Sequence, residues 1–308
     1  MQLFPSFKSQ RGATLVGFSA ILMWSFLAVL TVASGRIPPF QLAAVTFAIG
    51  GGVGVASWLV RRDAVSALRQ PAEVWALGVG GLFGYHALYF SAMRLAPPAE
   101  AGLLNYFWPL LIVLLSALLP NERLQLHHIA GALLGLLGTV LLFTGQEALA
   151  LAAEYVPGYA AAVVAAFVWA TSSVVSRRFA AVPSDAVAGF CLVTAVLAAL
   201  CHLAFETTVW PNQAGQWLAV IALGVGPVGA AFYAWDFGVK GGDIRVLGAV
   251  SYAAPILSTL FLVLAGYAQP SVSLALAALL MTSGGLIAAK DLIVKPASTA
   301  APNSLEQV

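Results

Sequence analysis

The residues able to bind a small molecule lie in the middle of apolar runs. Leu104-Asn105-Tyr106-Phe107-Trp108-Pro109 is set in one from about Pro98 to Leu119, and Val250-Ser251-Tyr252-Ala253-Ala254-Pro255 repeats the arrangement later. Proline has no N–H, so Pro109 removes the usual donor to the carbonyl of Asn105, and Pro255 removes that of Ser251. A bare carbonyl in lipid costs several kcal/mol, so both breaks are expected to face protein or a water-filled cavity. Paired broken helices of this kind suggest a substrate site between two halves of a transporter.

Aromatic residues gather at the same depth. Trp24 and Trp169 lie near the centres of their apolar runs. Tyr85, His86 and Tyr89 share one helical face at i, i+1 and i+4, and Tyr106, Trp108 and Tyr252 come from the two breaks. Tyrosine and tryptophan ordinarily mark membrane interfaces, not the centre. A helix bundle can use any one of these rings as packing; together with the two prolines they fit a cavity lining better.

His86 is the one titratable group besides tyrosine at mid-depth, and an intramembrane ionisable residue is a functional candidate by default. Neutral, it could hydrogen-bond a neighbour or a substrate; protonated, it could pair with a carboxylate or link transport to pH. Asp236 lies three residues before one membrane boundary and Glu206 at the far end of its run, while Glu100 stands close to Arg94 in sequence, where a surface pair or an outer latch is expected.

These absences narrow the substrate. A cation or polyamine pump calls for a carboxylate at mid-depth, and a phosphate or sugar-nucleotide carrier calls for Arg or Lys there. A neutral zwitterion fits instead. Its carboxylate can take hydroxyl, histidine and backbone N–H donors, and its ammonium the freed carbonyls of Asn105 and Ser251 and the ring faces.

The elements that must position these groups follow from composition. The chain has 308 residues, 61% hydrophobic and 8% charged, with mean hydropathy +0.93. A soluble surface needs roughly 25% charged residues, so this is an all-α polytopic membrane protein. Ten transmembrane helices are predicted over 13–34, 40–60, 73–94, 98–119, 127–145, 157–179, 185–206, 215–239, 245–267 and 270–292, punctuated by proline. The first run ends in Ala33-Ser34-Gly35, which resembles a signal-peptidase site, but it is longer than a signal core and is read as a retained span. Cys191 and Cys201 are about 15 Å apart along one helix, too far for a disulfide, and are read as small apolar side chains.

Basic residues in the short loops set the orientation. Lys8, Arg11, Arg61, Arg62, Arg69, Arg123, Arg177, Arg178, Lys240, Arg245, Lys290 and Lys295 fall on one side, and only Arg36 and Arg94 on the other, which predicts both termini in the cytoplasm. An internal repeat is visible as well. A shift of 146 carries Ala76-Leu77-Gly78-Val79-Gly80 to Ala222-Leu223-Gly224-Val225-Gly226, and with it Gly102 to Gly248, Tyr106 to Tyr252, Pro109 to Pro255 and Gly138 to Gly284. A shift of 145 carries Trp24 to Trp169 and Pro38 to Pro183. Each unit holds five spans, an odd number, so the second must lie inverted in the membrane.

The expected organisation is a cytoplasmic N-terminus (1–11), a first five-helix unit (12–146), a second, inverted one (157–292) and a disordered cytoplasmic tail (296–308). Gly78 and Gly80, with Gly224, Gly226 and Pro227, weaken the third and eighth spans near their middles and are candidate hinges, as are the breaks at Pro109 and Pro255. The GxxxG pairs Gly50/Gly54 and Gly131/Gly135 are expected to pack helices closely.

The two five-span units, Pro109 followed by Glu122-Arg123, and the Gly131 to Gly138 helix resemble the drug/metabolite transporter superfamily, and within it the EamA-like exporters, over residues 12–292. The string from Asn105 to Pro109 is similar to that of aromatic amino-acid exporters in this family. The resemblance implies export of amino acids from the cytoplasm across a bacterial inner membrane. Two positions depart from the pattern: Ser25 follows Trp24 where the family often has glycine, and Ala268-Gln269 stands where the second repeat would show a counterpart of Glu122.

No cofactor, metal or nucleic acid is implied; the partners are a small-molecule amino acid and the lipid bilayer, and a monomer suffices. Export of another neutral metabolite or a drug is the alternative within transport. An intramembrane enzyme would need a nucleophile–base pair or a ligand set, and the adjacent His127-His128 have no third ligand in the sequence. Inversion of the halves has a direct test. Single cysteines at Ala150 and Ser184, in a cysteine-free background, should react with an impermeant thiol reagent from the outside and from the cytoplasm respectively; labelling of both from one side would contradict the repeat.

Overall fold

The computed structural model describes residues 9–120, 123–144, 152–266 and 269–290. Lys8, Glu122, Ala150, Ala268, Lys295 and the 296–308 tail lie outside the described residues, as do the outer ends of the spans expected to reach 145, 267 and 292.

The described chain is helical, with no strand. The first repeat contains α1 (Gln10–Ser25), α2 (Leu27–Ala33), α3 (Pro39–Ser57), α4 (Ala72–Val79), α5 (Tyr85–Leu95), α6 (Pro98–Asn105), α7 (Trp108–Ser116) and α8 (Leu126–Thr144). The second contains α9 (Val156–Ser176), α10 (Val187–Phe205), α11 (Ala214–Val225), α12 (Ala231–Gly241), α13 (Ile244–Val250), α14 (Ala253–Leu264) and α15 (Val272–Ala288). Among the described residues, seven segments are long and apolar enough to cross a membrane: Gln10–Ala33, Pro39–Ser57, Leu126–Thr144, Ala153–Phe179, Ser184–Phe205, Ala214–Gly241 and Ile244–Leu264. Glu100–Ser116 and Val272–Ala288 are apolar but shorter. Leu15, Leu118, Leu203 and Leu264 point away from the bundle at 69–75% exposure, a surface that only lipid can cover.

One helix interruption falls at Phe26, between α1 and α2; four others fall at the Pro-marked positions and at the glycines. α6 ends at Asn105 and α7 begins at Trp108; α13 ends at Val250 and α14 begins at Ala253. Between α4 and α5, and again between α11 and α12, the chain makes a π-helical turn, Gly80–Gly84 and Gly226–Ala230. A π turn widens the helix by one residue and leaves carbonyls poorly aligned with their donors, which glycine tolerates best.

Glycine also sets how close the helices come. A Cβ on Gly131 would lie 2.5 Å from the Gly284 carbonyl, so α8 and α15 touch backbone to backbone. Gly50 meets Gly229 in the same way, bringing α3 against the second π turn.

α3 and α10 lie side by side and are tied at both ends. At one end Arg61, just past α3, donates to Asp185, just before α10, at 2.8 Å. At the other, Glu206, just past α10, receives the first N–H groups of α3. Its Oε1 accepts from Phe40 N and from Arg94, and its Oε2 accepts from Gln41 N at 3.1 Å and from His202 Nδ1 at 3.0 Å. A helix N-terminus has spare N–H donors and a positive dipole end, so a carboxylate suits it. The expected neighbour of Arg94 was Glu100; Arg94 reaches Glu206 of the other repeat instead, and Glu100 accepts from Tyr159 at 2.9 Å.

The basic ends are similarly cross-linked. Asp243 caps α13 through Arg245 N and Val246 N, its own N–H donates to Thr14, and Arg245 spans to the Arg123 carbonyl at 2.7 Å. Burial pushes the Asp243 carboxyl up, but the hydrogen bond and charge of Arg245 outweigh it and hold the group below the usual carboxylate range.

The Glu206 tie predicts a large stability loss on truncation. Glu206 has a side chain 1% exposed, so Glu206→Ala leaves His202 and two backbone N–H groups without their acceptor, at a cost of about 3–5 kcal/mol. Glu206→Gln should lose less, since one amide oxygen still accepts from α3. Thermal unfolding in detergent reads both, and an Ala variant as stable as wild type would show that the tie contributes nothing.

Candidate functional site

Four tryptophans and a phenylalanine from four helices meet in the centre. Trp24 of α1, Trp108 of α7, Trp169 of α9 and Trp235 of α12 lie with ring centroids 5.2–6.4 Å apart, mostly edge to face, and Phe232 closes the set at 5.8 Å from both Trp24 and Trp169. Each such pair adds about 0.5–1.5 kcal/mol beyond the area it buries, which fixes ring orientation as well as position. Trp24 is half-buried; the other three indoles are 3–7% exposed. Two of the four use their polar edges: Trp24 Nε1 donates to the Pro227 carbonyl at 3.0 Å, and Trp235 Nε1 donates to Ser173 Oγ at 3.1 Å.

The α5 trio forms the next layer. Tyr85 lies 5.5 Å from Trp169 and stacks on Tyr89 at 5.8 Å. His86 packs against Phe47 at 5.0 Å, Phe90 at 5.9 Å and Phe232 at 6.0 Å, and its Nδ1 donates to the Leu82 carbonyl at 2.7 Å. That bond fixes the protonated nitrogen, leaving Nε2 as the acceptor in the neutral ring. Asn105 Nδ2 donates to the Tyr85 hydroxyl at 3.0 Å, while its Oδ1 is buried with no donor. An orphaned buried acceptor beside aromatic rings is a position where a ligand N–H would be bound.

Two of the sequence candidates, Tyr252 and Ser251, stand apart, and a third, Tyr106, lies at the edge of the Tyr85–Tyr89 layer. Tyr106 packs against Phe143 of α8. Tyr252 is fully buried in a separate core with Val113, Ala132, Leu142, Ala277 and Met281, its ring filling the space over Gly135. Ser251 is also fully buried, its hydroxyl donating to the Leu247 carbonyl at 2.6 Å. Nor is the Ser251 carbonyl free as Pro255 suggested: Ala254 N, one residue earlier than the proline, donates to it at 3.0 Å. The break at Pro255 tightens into a three-residue turn and so finds its own donor.

The glycines just before and at the start of the two π turns divide in two. A Cβ on Gly78 would meet Phe190 at 2.5 Å and one on Gly224 would meet Ile49 at 2.6 Å, so both are close-packing positions. A Cβ on Gly80 or Gly226 would meet nothing within 4 Å, so packing does not demand glycine there.

Below the tryptophans, between α4, α9, α10 and α12, lies a pocket with an open mouth. Trp169, Phe232 and Trp235 form its inner wall; Ser172, Ser173, Ser176, Asp236 and Lys240 supply its polar groups. Among the described residues no group of three His, Cys, Asp or Glu could hold a metal ion.

Phe232 and Trp235 are central here and were not singled out from the sequence. The repeat contains the signal: the shift of 146 that maps Tyr106 to Tyr252 also maps His86 to Phe232 and Tyr89 to Trp235. Phe47 and Phe90, which flank His86, carry no comparable mark.

An all-helical bundle with lipid-covered flanks, helices broken at mid-length and aromatic rings converging on the breaks defines a small-molecule membrane transporter. The chain belongs to the EamA-like transporter family, which it matches twice, over residues 11–144 and 156–289. It is therefore a transporter and not an enzyme. A relative from Ancylobacter novellus, named aromatic amino acid exporter YddG, is 59% identical over 281 residues, covering 91% of this chain and 98% of the relative. The protein of the same name from Escherichia coli is 25% identical over 300 residues, covering 91% and 97%. A solved structure with 60% sequence identity superposes with a TM-score of 0.87 over 91% of this chain and 97% of that one.

The contacts of His86 set its expected behaviour. Its ring is held by aromatics and by a backbone carbonyl, so it is built to position and to hydrogen-bond. His86→Gln keeps hydrogen bonding and cannot titrate, and should retain measurable transport. Complete loss of pH-driven uptake with intact substrate binding would instead make His86 the coupling group.

Proposed function

We propose that this protein exports neutral amino acids with aromatic side chains from the cytoplasm, by alternating access around the tryptophan cluster. The observation that carries the reading is the orphaned Asn105 Oδ1 beside rings supplied by both repeats. The ammonium of a substrate would donate to Asn105 Oδ1, its side chain would stack among Trp24, Trp108 and Trp169, and His86 and Tyr85 would face the remaining polar groups. Cation–π attraction from the indoles favours the same placement. The relatives named as aromatic amino acid exporters support this substrate class.

The proposed topology is ten spans in two inverted five-span repeats, with both termini cytoplasmic in a bacterial inner membrane. It adds Ala72–Leu95 and the shorter Glu100–Ser116 and Val272–Ala288 to the seven long segments. Two features support the inversion. Trp24 and Trp169, equivalent under the shift of 145, touch each other at 5.7 Å. The same shift relates Arg61 to Glu206 and Phe40 to Asp185, so the two ties of the α3–α10 pair occupy matching positions at opposite ends. Gly80 and Gly226 would be the hinges, with Pro109 and Pro255 fixing the breaks. The site asks for one chain only, consistent with a monomer.

Competition by phenylalanine and by threonine against one labelled substrate, in wild type and Trp108→Ala, tests the reading. An indole stacked on an aromatic substrate contributes ~0.5–1.5 kcal/mol beyond area burial. At about 1.4 kcal/mol per decade, phenylalanine should weaken roughly three- to tenfold. Threonine does not reach the ring and should lose much less. Equal losses would make Trp108 a packing residue and favour a carrier of another neutral metabolite.

A further inference from the structure

We infer that the pocket between α4, α9, α10 and α12 is a loading site on the cytoplasmic side, where Asp236 takes the ammonium and Lys240 the carboxylate of an α-amino acid whose side chain lies on Phe232 and Trp235. The inference rests on the transport reading above and names the group that first recognises the charged head, which the tryptophan cluster does not.

The register of α12 carries it. Phe232, Asp236 and Lys240 stand at i, i+4 and i+8, one above another on one face and about 6 Å apart along the axis. All three line the pocket, opposite Leu77, Gly78 and Leu82 of the first repeat. An aromatic amino acid has the same order of parts: a ring, then an ammonium and carboxylate on one carbon. Phe232 and Trp235 also belong to the central cluster, so the pocket and that cluster share a wall. A ring bound on this wall has only to pass it to reach the centre.

The charges fit a zwitterion and no simpler ion. Lys240 Nζ donates to Asp236 Oδ2 at 2.8 Å and to the Val182 carbonyl at 3.0 Å, and Ser184 Oγ donates to the same carboxylate oxygen at 2.6 Å. The two side chains are only 10–15% exposed, so each needs a charged partner. A zwitterion inserted between them restores both partnerships, giving four charges of alternating sign. An amine alone would leave Lys240 without its carboxylate, and an acid alone would leave Asp236 without its ammonium. Ser172 and Ser176 donate to carbonyls of their own helix, Trp169 and Ser173, so they make no competing demand on the ligand.

The test compares the two faces of the membrane. Phenylalanine transport is measured in inside-out vesicles, which present the cytoplasmic face, and in right-side-out vesicles, for wild type, Asp236→Asn and Asp236→Asn/Lys240→Met. Phenylalanine methyl ester, a cation, and 3-phenylpropionate, an anion, serve as competitors. The expected result is a rise of about tenfold in the cytoplasmic-face KM for phenylalanine in both variants, with the external-face KM within twofold of wild type. Tenfold corresponds to about 1.4 kcal/mol. In wild type both single-charge analogues should compete far more weakly than phenylalanine from the cytoplasmic face; in the double variant that preference should vanish. Equal KM changes on both faces, or loss of rate with the preference intact, would make Asp236–Lys240 a structural tie and overturn the inference alone. Wild-type vesicles that exchange no aromatic amino acid would overturn the transport reading along with it.

Discussion

A backbone carbonyl in hydrocarbon must find a donor inside the protein, and the architecture follows from where this chain makes that difficult. Unbroken helices such as α3, α8 and α10 satisfy every interior group themselves and can face lipid. The broken ones cannot. In the π turn at Gly80–Gly84 the Leu82 carbonyl accepts from both Tyr85 N and His86 Nδ1, and in the matching turn at Gly226–Ala230 the Pro227 carbonyl accepts from Trp24 Nε1. Each side-chain donor is the polar edge of an aromatic ring. The aromatic layer and the two π turns are thus joined by hydrogen bonds as well as by packing.

Around that centre the contacts divide into fixed and adjustable ones. The α3–α10 pair is held at one end by Arg61 and Asp185, and at the other by Glu206 on the N-terminus of α3. Gly131 and Gly50 allow backbone contacts that any side chain would prevent. At Gly80 and Gly226, by contrast, a Cβ would meet nothing, and both stand where the chain passes from α-helical to π-helical bonding. Side-chain packing therefore leaves Gly80 and Gly226 unconstrained, whereas Gly78 and Gly224 lie hard against Phe190 and Ile49.

Much of this was legible in the sequence, because hydrocarbon permits few solutions. The all-helical class, the two repeats and the positions of four of the helix breaks could be read from composition, prolines, glycines and one repeated spacing. The site was legible in part. Trp24, Trp108 and Trp169 converge with Tyr85 and His86, whereas Tyr252 turns outward onto Gly135, although it matches Tyr106 in the repeat. A repeat shift predicts which residue is equivalent; it does not predict which face of the helix each copy presents, because that depends on the local turn. After α6 and after α13 the chain tightens over two residues, and at the second break the Ala254 N–H takes over the acceptor that Pro255 abandons. No spacing rule contains that exchange. The choice of Glu206 over Glu100 by Arg94 was equally invisible, since it pairs residues 112 positions apart.

The division of labour between rings and charges follows from depth. At the centre a formal charge would have to be held without water, so the chain places only indoles, phenols, an amide and a neutral-capable imidazole there. Asp236 and Lys240 are one and two helical turns further out along α12 than Phe232, each already neutralised by the other. A zwitterion poses the same problem as the protein itself: its charges are expensive at mid-depth and its ring is not. Sharing Phe232 and Trp235 between the charged pocket and the tryptophan cluster lets the ring stay in contact with aromatic surface while the head changes partners. On the proposed path the head would pass from full ionic partners to the single acceptor Asn105 Oδ1 and the ring faces, and would be held less tightly at the centre than at the margin. A substrate held more weakly halfway across than at the side from which it starts can leave in either direction, which a carrier needs and a high-affinity receptor does not.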